Sequence, residues 1–380
     1  MNSIGGRIKS ARESARLSQR ELAERVPRLD HTALSRIETG RRRVASHELF
    51  GLAEALGTTT GNLLGVHEAS RSLAVAARLG EVARPEYLVA AVDRVTQVLE
   101  MDDLLTRVVG GEQTSSLEVP LPLGGSALTQ GRALASAARE ALGLGIGSVG
   151  GLRTLIEDQA GAHVVSQPIE GDVHGICVSD GGIAVVLVNS KDSWGRQQFT
   201  MAHELGHLLA RDLELYEITG TVTRDDLAER RADVFSAYFL APDEGVRRVV
   251  GARQVGPAMV GELMDYFGMS LEAISWRLVN AGVISMSEGE ELRTGSVRAA
   301  VDAADVGARF DQRVNLEGKT QPPRRLLRRV VDAYQRGLVG VGMVAAVLGE
   351  TNLSSVRQFL DEKGIQPQTQ EFAAEGARLA

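Results

Sequence analysis

The chain of 380 residues contains a single cysteine, Cys177, so no disulfide can form within it. Any metal site must therefore rely on histidines and carboxylates rather than on a set of thiolates. The sequence also lacks an uncharged apolar run of membrane-spanning length, and its first residues lack the apolar core of a signal peptide. These absences exclude disulfide-stapled and membrane-spanning proteins, and we expect a cytoplasmic protein that makes no membrane contact.

Charge is unevenly distributed along the chain. The formal net charge is −7, yet residues 1–66 carry 11 Lys and Arg against 7 Asp and Glu, which leaves the remainder strongly acidic. A basic segment attached to an acidic body indicates that any nucleic acid contacts the first 66 residues alone. The length, together with a hydrophobic content of 43%, predicts two or three domains with substantial cores.

Residues 7–64 show the signals of five short helices. Ser18 and Glu21 have the spacing of a capping box at the start of one helix. Asp30 can cap the next helix, which ends at Gly40. Two short helices joined by a tight turn are typical of a helix-turn-helix, whose second helix enters the major groove of DNA.

This segment resembles the lambda-repressor-like (XRE/Cro-type) DNA-binding family. The resemblance rests on residues 17–23 (Leu-Ser-Gln-Arg-Glu-Leu-Ala), on residues 34–42 and on the apolar positions of residues 49–64, although the turn at 27–30 is a residue longer than usual. It implies an all-α domain over residues 1–66 that binds a double-stranded DNA operator, as a homodimer on two half-sites. The candidate DNA contacts, each of which is alternatively a solvated side chain, are Gln19, His31, Thr32, Ala33, Ser35, Arg36, Arg41, Arg42 and Arg43.

Residues 67–126 are expected to connect this segment to the rest of the chain. Residues 67–109 are rich in Ala, Leu and Arg with helical periodicity, which predicts a helical connector. Crowded Gly, Ser and Pro between residues 110 and 125 predict a linker. Beyond it the patterns predict helices over 127–142 and 149–160 and strands over 162–166, 173–178 and 183–189.

His203, Glu204 and His207 form an H-E-x-x-H motif within an apolar helical run. On a helix, residues four apart share one face, so both imidazoles can reach one ion while Glu204 stands beside it. The motif predicts a zinc hydrolase site, with two nitrogen ligands and a carboxylate that takes a proton from the attacking water. The alternative is a surface helix that carries two histidines by chance, and the apolar flanks count against it.

A catalytic zinc site needs a third protein ligand. Glu229 and Asp233 lie four apart on the next predicted helix. Glu229 can therefore bind the metal, while Asp233 can accept the second N–H of a ligand histidine. Glu214 and Glu217 are the alternatives to Glu229, and pairing of the acids with neighbouring arginines is the alternative without a metal.

The combined pattern resembles the ImmA/IrrE family of metallopeptidases. The resemblance covers about residues 130–290 and rests on residues 198–209, on residues 229–236 (Glu-Arg-Arg-Ala-Asp-Val-Phe-Ser) and on residues 264–284. It implies an α+β, gluzincin-like fold, Zn²⁺ as the cofactor and Glu204 as the general base or acid. It also implies that the substrate is a DNA-binding repressor or an antitoxin, cut to release genes after stress, DNA damage or prophage induction.

Three features outside the motif allow more than one interpretation. His163 and His174 lie on predicted strands, where a histidine is more often structural than catalytic. The basic run at 324–329 either contacts DNA or belongs to an amphipathic helix packed on the peptidase, and we favour the second. The tail from Gln366 onward is expected to be disordered.

The sequence therefore predicts a multidomain protein with an all-α helix-turn-helix domain over 1–66, a connector and linker over 67–126, an α+β peptidase domain over 127–290 and an α-helical region over 291–380. We expect a transcriptional regulator fused to a zinc endopeptidase that cuts a repressor, an antitoxin or itself, in the last case near residues 110–125. One alternative is a DNA-binding regulator whose zincin domain is a non-catalytic sensor or interaction platform. A second is an antitoxin that binds DNA and a toxin. A sensor needs no general base, so Glu204 discriminates between enzyme and sensor.

Overall fold

The computed structural model describes residues 4–15, 17–26, 29–56, 63, 73–79, 85–111, 117–120, 124–179, 183–216, 226–350 and 352–367. The chain divides into two compact units, Met1–Ser72 and Leu73–Ala380. Within the described ranges, no helix combines the length and the apolar character that crossing a membrane requires.

The first unit is a small helical domain built from α1 (Ile4–Ser14), α2 (Gln19–Arg25), α3 (His31–Glu38) and α4 (Ser46–Ala55). Both predicted caps are confirmed, because Ser18 and Glu21 form a reciprocal capping box and Asp30 accepts the N–H of Ala33 at 2.7 Å. The interior is apolar and centres on Leu22 and Leu34, which are fully buried. Residues 27 and 28 of the unusual turn lie outside the described residues.

The second unit contains a five-stranded sheet of order β2-β4-β3-β1-β5. Its strands are β1 (Leu73–Leu79), β2 (His163–Gln167), β3 (Val173–Ser179), β4 (Ala184–Asn189) and β5 (Glu214–Tyr216). β2 and β4 are parallel, and the other pairs are antiparallel. The three strands expected between residues 162 and 189 are confirmed as β2, β3 and β4.

β1 corrects the helical connector expected over residues 67–109. Residues 73–79 form a strand that pairs along the whole of β3, and only the later part of this stretch, Pro85–Val109, is the helix α5. The local Ala-rich sequence favours a helix, but backbone pairing with β3 decides the conformation, since tertiary contacts routinely override helix propensity. Of the expected linker, residues 112–116 and 121–123 lie outside the described part of the chain.

Both faces of the sheet are covered by helices. In β4, Val186 and Val188 belong to the cluster packed against the helix of the H-E-x-x-H motif, whereas Val185 and Leu187 belong to the cluster on the opposite face. This alternation follows from the two-residue period of a strand. The helices of the first face are α6 (Ala127–Ala141), α7 (Leu152–Gln159), α8 (Trp194–Ala210), α9 (Asp226–Leu240), α10 (Asp243–Val250), α11 (Pro257–Phe267) and α12 (Leu271–Asn280).

The C-terminal region is helical where it is described. After α13 (Met286–Arg293), its helices are α14 (Val297–Ala303), α15 (Gly307–Val314), α16 (Arg324–Gln335), α17 (Val341–Leu348) and α18 (Leu353–Glu362). α16, α17 and α18 cover the second face of the sheet together with α5. Residues 368–380 of the tail expected to be disordered lie outside the described residues.

The basic run at 324–329 is part of this packing. Leu326 is fully buried, Arg325 donates to the carbonyl of Glu157 at 2.9 Å, and Arg329 is buried against Asp102. The amphipathic helix packed on the second unit, which the sequence favoured over a DNA contact, is therefore what the structure contains.

Candidate metal centre and DNA-binding segment

The H-E-x-x-H motif lies in the C-terminal half of α8, the helix beneath the sheet. The helix ends at Arg211, whose φ of 55° lies in the left-handed region. His203, Glu204 and His207 are 1%, 0% and 2% exposed, so the motif is buried rather than displayed on a surface helix. The expectation drawn from the apolar flanks agrees with this burial.

Three ligand atoms converge next to α8. The Nε2 atoms of His203 and His207 lie 3.1 Å apart, and each lies 3.5 Å from a carboxylate oxygen of Glu229 on α9. Ligands held about 2.0–2.1 Å from a tetrahedral zinc ion lie about 3.4 Å from one another. The three side chains therefore fit a zinc ion in both chemistry and spacing, and among the described residues they form the group able to hold a metal.

Glu214 and Glu217, the alternative third ligands, do not lie on the helix that packs against α8. Glu214 begins the short strand β5, and Glu217 lies outside the described residues. Glu229 is carried by α9, which packs directly on α8. The close approach of the two helices depends on Gly206, because a Cβ at this position would lie 2.9 Å from the ring of Phe235.

Each histidine is oriented by a carboxylate on its other nitrogen. Nδ1 of His203 lies 3.0 Å from Oδ1 of Asp233, the partner that the sequence predicted. Nδ1 of His207 lies 2.9 Å from Oδ1 of Asp212, which the sequence did not single out. A carboxylate only accepts, so both Nδ1 atoms donate, and in the neutral imidazoles both Nε2 lone pairs are left to bind a metal.

Asp212 is held in turn by α9. Its second oxygen pairs with Arg231, and Arg231 also donates to the side-chain oxygen of Gln130 on α6 at 2.8 Å. Burial by itself raises the pKa of Asp212, but the hydrogen bond and charge of His207 and of Arg231 lower it below its usual range. Asp212 is therefore a stable anion that joins α8, α9 and α6 around the site.

The carboxylates around His207 favour its protonated form. Burial by itself lowers the pKa of His207, but hydrogen bonds to Asp212 and Glu229 and the charge of Glu204 raise it to about 10. Burial by itself raises the pKa of Glu229. The hydrogen bonds and charges of His203 and His207 outweigh this effect, so the pKa of Glu229 falls well below its usual range. The negative charge of the surrounding carboxylates that favours protonated histidines also favours a bound divalent cation.

Glu204 lies between α8 and the sheet. A Cβ on Gly175 of β3 would lie 3.1 Å from Oε1 of Glu204 and 2.4 Å from the methyl group of Thr200, so only glycine leaves room there. β3 thus passes directly over the carboxylate that the motif predicts to be the general base. No pattern in the sequence points to Gly175, because its role depends on contact across the sheet.

The two strand histidines have partners away from the metal ligands. His163 is fully buried, with Nε2 lying 3.1 Å from Asp102 of α5, and Asp102 also pairs with Arg329 of α16. Nδ1 of His174 lies 3.0 Å from Asp192. The buried cluster around His163 is structural, since it joins β2 to the two helices that cover the second face.

The predicted DNA contacts form a mostly exposed surface on the first unit. His31, Thr32 and Arg36 on α3 are exposed, as are Arg41 to Arg43 just after it, while Ala33 and Ser35 are half-buried. Two of the candidate positions have identified partners, since Arg42 pairs with Glu48 at 2.8 Å and Gln19 donates to Glu38 at 2.7 Å.

Glu38 supports the fold, as expected. It is 7% exposed and forms a buried ion pair with Arg12 at 2.6 Å. The side chain of Gln19, one of the candidate DNA contacts, is therefore held against this ion pair.

The comparisons with known proteins agree with both sites. Residues 157–279 match the peptidase M78 family, described as the IrrE N-terminal-like domain, and residues 3–64 match a helix-turn-helix domain. The chain therefore carries a helix-turn-helix DNA-binding domain followed by an IrrE N-terminal-like domain of the M78 peptidases, which confirms the two resemblances seen in the sequence.

Comparisons of whole chains add little to the two domain matches. No curated protein matches the chain. A crystal structure of the PrgX/iCF10 complex aligns over 95% of this chain and 96% of that chain, at 10% identity and a TM-score of 0.17. A TM-score this low carries no inference about the fold.

Proposed function

We propose that this protein is a DNA-binding transcriptional regulator that carries a zinc-dependent endopeptidase of the gluzincin type. The observation that carries the proposal is the convergence of His203, His207 and Glu229 beside Glu204, in a chain whose first domain is a helix-turn-helix. The peptidase would cut a repressor, an antitoxin or the chain itself and so control stress, DNA-damage or prophage-type genes. The regulator would bind its operator as a homodimer.

The metal ligands and Glu204 have different roles in the proposed hydrolysis. His203, His207 and Glu229 would hold Zn²⁺, which when bound acts as a Lewis acid that polarises a carbonyl and acidifies water. Glu204 accepts the proton of the attacking water and later delivers it to the leaving amine. Its burial supports this role, because a carboxylate shielded from bulk water transfers a proton without competition from solvent.

The orienting carboxylates contribute through position. Asp233 and Asp212 fix the ring of each histidine, so that both Nε2 atoms point to one place. Neither aspartate needs to touch the substrate. Their part is to keep the two imidazoles in the tautomer that binds a cation.

A pair of substitutions tests the proposal. We expect Glu204→Gln to keep its zinc and to cut β-casein, used as an unfolded probe, at least about 100-fold more slowly than the unaltered protein, since general base catalysis contributes on the order of 10²–10⁴. His203→Ala is the matched variant and should lose both zinc and cleavage. Zinc retained by His203→Ala, or equal cleavage by Glu204→Gln, contradicts the proposal.

The second candidate function is a regulator whose zincin domain senses metal or binds a partner without catalysis. The observation in its favour is the burial of Glu204 and both histidines, which suits a structural or sensing metal site. A sensor has no need of the carboxylate at position 204, so Glu204→Gln would leave its metal-dependent DNA binding unchanged. Measuring operator affinity with and without zinc in this variant separates the two functions.

A further inference from the structure

Strand β1 joins the peptidase sheet from outside the peptidase domain. The match to the IrrE N-terminal-like domain begins at residue 157 and contains β2, β4 and β3, whereas β1 is formed by Leu73–Leu79. Without β1 the order β2-β4-β3 would end at β3, whose edge would be open. β1 covers this edge with an antiparallel pairing that runs from Ala74 opposite Ser179 to Leu79 opposite Val173.

The covered edge lies at the candidate catalytic residue. Gly175 of β3, which lies against Glu204, has Arg78 of β1 as its partner across the ladder. Neighbouring strands are about 4.8 Å apart. The backbone of β1 therefore passes one strand spacing from the glycine that touches the general base, and α8 contacts β1 as well as β3.

β1 is held on its other side by a strand that follows the metal-binding helix. β5 pairs with Leu73, Ala74 and Val75 in antiparallel register. An extended segment of the chain is thus added to β3 by main-chain pairing, and β5 pairs with its first three residues. This is how an extended peptide binds by strand addition, in which main-chain hydrogen bonds to an edge supply the affinity.

We propose that β1 occupies the place of an extended peptide substrate on β3 and keeps the peptidase inhibited until this strand is released. The inference rests on the proposed peptidase function and adds a regulator for it. One edge accepts one strand, so β1 and a substrate exclude each other.

Locking the strand in place provides the first arm of the test. Partners in an antiparallel ladder have Cα atoms about 4.5–5.5 Å apart, within the range of a disulfide. In the full-length protein, Ala74→Cys with Ser179→Cys should therefore form a disulfide on oxidation, at the end of the ladder away from Gly175. The control is Val75→Cys with Ser179→Cys, two positions that are not partners in the ladder, so no disulfide should form.

Releasing the strand provides the second arm. The N–H groups of successive strand residues point to opposite sides, so in Ala76→Pro with Ala77→Pro one of the two prolines removes a bond directed at β3. A fluorescent peptide with the sequence of residues 73–79 is the binding probe, used in the Glu204→Gln background so that it is not cut. If β1 leaves the edge free in at most about a tenth of the molecules, its release should tighten peptide binding at least tenfold.

The outcomes separate the inference from the function on which it rests. We expect the oxidised double-cysteine variant to bind no peptide, to recover on reduction, and to cut β-casein more slowly than the reduced form when Glu204 is intact. The released variant should cut it at least about tenfold faster than the unaltered protein. Equal peptide binding by locked and released forms, or no disulfide in Ala74→Cys with Ser179→Cys, overturns the proposal.

The measurements of peptide binding and of β-casein cleavage can also give different answers. If peptide binding follows the strand as expected but no form cleaves β-casein, the peptidase function is wrong and the occupancy of the edge by β1 stands. If the locked and released forms cleave equally, the peptidase function stands and inhibition by β1 is wrong.

Discussion

Asp212 connects the metal-binding helix to the helix that supplies the third ligand. It accepts the Nδ1 proton of His207 at 2.9 Å and pairs with Arg231, two residues after Glu229 on α9. Removing its charge would weaken the hydrogen bond that orients His207, and Arg231 would lose its counter-ion. Because an outer carboxylate of this kind sets the tautomer and the basicity of the ligand histidine, it controls metal affinity without touching the metal.

We expect Asp212→Asn to weaken zinc binding by about 10- to 100-fold, the usual effect of removing such a partner. The asparagine can keep the size of the side chain but not its charge. Competition with a chromophoric zinc chelator measures the change. Asp192→Asn is the matched control, since Asp192 pairs with His174 rather than with a ligand, and an equal loss in both variants would contradict the role given to Asp212.

Zinc binding should depend on pH in a direction set by His207. Its pKa of about 10 in the metal-free site means that it is protonated at neutral pH, whereas a metal ligand must be the neutral imidazole. Zinc therefore displaces a proton, and affinity rises with pH by about tenfold per unit for each proton released. Chelator competition between about pH 6 and 8 checks this slope. An affinity independent of pH would show that the histidine is already neutral.

How far the site could be predicted differs from residue to residue. The motif and the four-residue spacing of Glu229 and Asp233 are helical patterns, so the sequence alone indicated which side chains would meet. Asp212 lies beyond the end of α8, where no periodicity fixes the direction of a side chain. Gly175 was missed for a related reason, because its contact with Glu204 joins a strand to a helix that follows it.

At the scale of elements, the packing of α9 on α6 positions Glu229. The two helices approach closely at Gly131, where a Cβ would lie 2.7 Å from the carbonyl oxygen of Arg231 and 2.7 Å from the side chain of Val234. A backbone oxygen cannot rotate away, so a larger residue must push the helices apart.

We therefore expect Gly131→Ala to lower the free energy of unfolding by about 1–3 kcal/mol, the usual cost of overpacking, despite the better helix propensity of alanine. Zinc affinity should fall with it, because α9 carries Glu229. Gly150→Ala is the control, since nothing lies within 4 Å of a Cβ at that position. Urea unfolding of the two variants compares them, and an unchanged Gly131→Ala would show that the helices tolerate separation.

The elements themselves divide into those with local signals and those without. Capping residues and β-branched runs predicted the helix-turn-helix and the strands β2, β3 and β4. β1 was assigned to a helical connector because residues 73–79 are rich in alanine and leucine. Its partner β3 lies far away in the sequence, and no local pattern reports a pairing over that separation.

At the scale of the whole molecule, the charge asymmetry has a measurable consequence. Arg41 and Arg43 are exposed next to α3, in the basic first unit of an acidic chain. We expect Arg41→Ala with Arg43→Ala to weaken binding to duplex DNA uniformly across sequences. The slope of log affinity against log salt should also fall by about 0.9 for each phosphate that the variant no longer neutralises. Fluorescence anisotropy at several salt concentrations measures both effects.

The control for this prediction lies in the second unit. Lys319→Ala removes an exposed positive charge outside the helix-turn-helix and should leave both the affinity and the salt slope unchanged. A similar weakening in this variant would place DNA binding on the whole molecule rather than on its first domain.

The long separation between β1 and β3 also bears on how the protein is made. During synthesis β1 leaves the ribosome roughly a hundred residues before β3, and closing so long a loop is slow because its entropy is lost before any pairing is gained. The peptidase sheet is therefore expected to assemble first with its edge bare. On the proposed inhibition by β1, a newly made molecule would pass through a brief period of unrestrained activity, and of exposure to aggregation, before its own strand closes the edge.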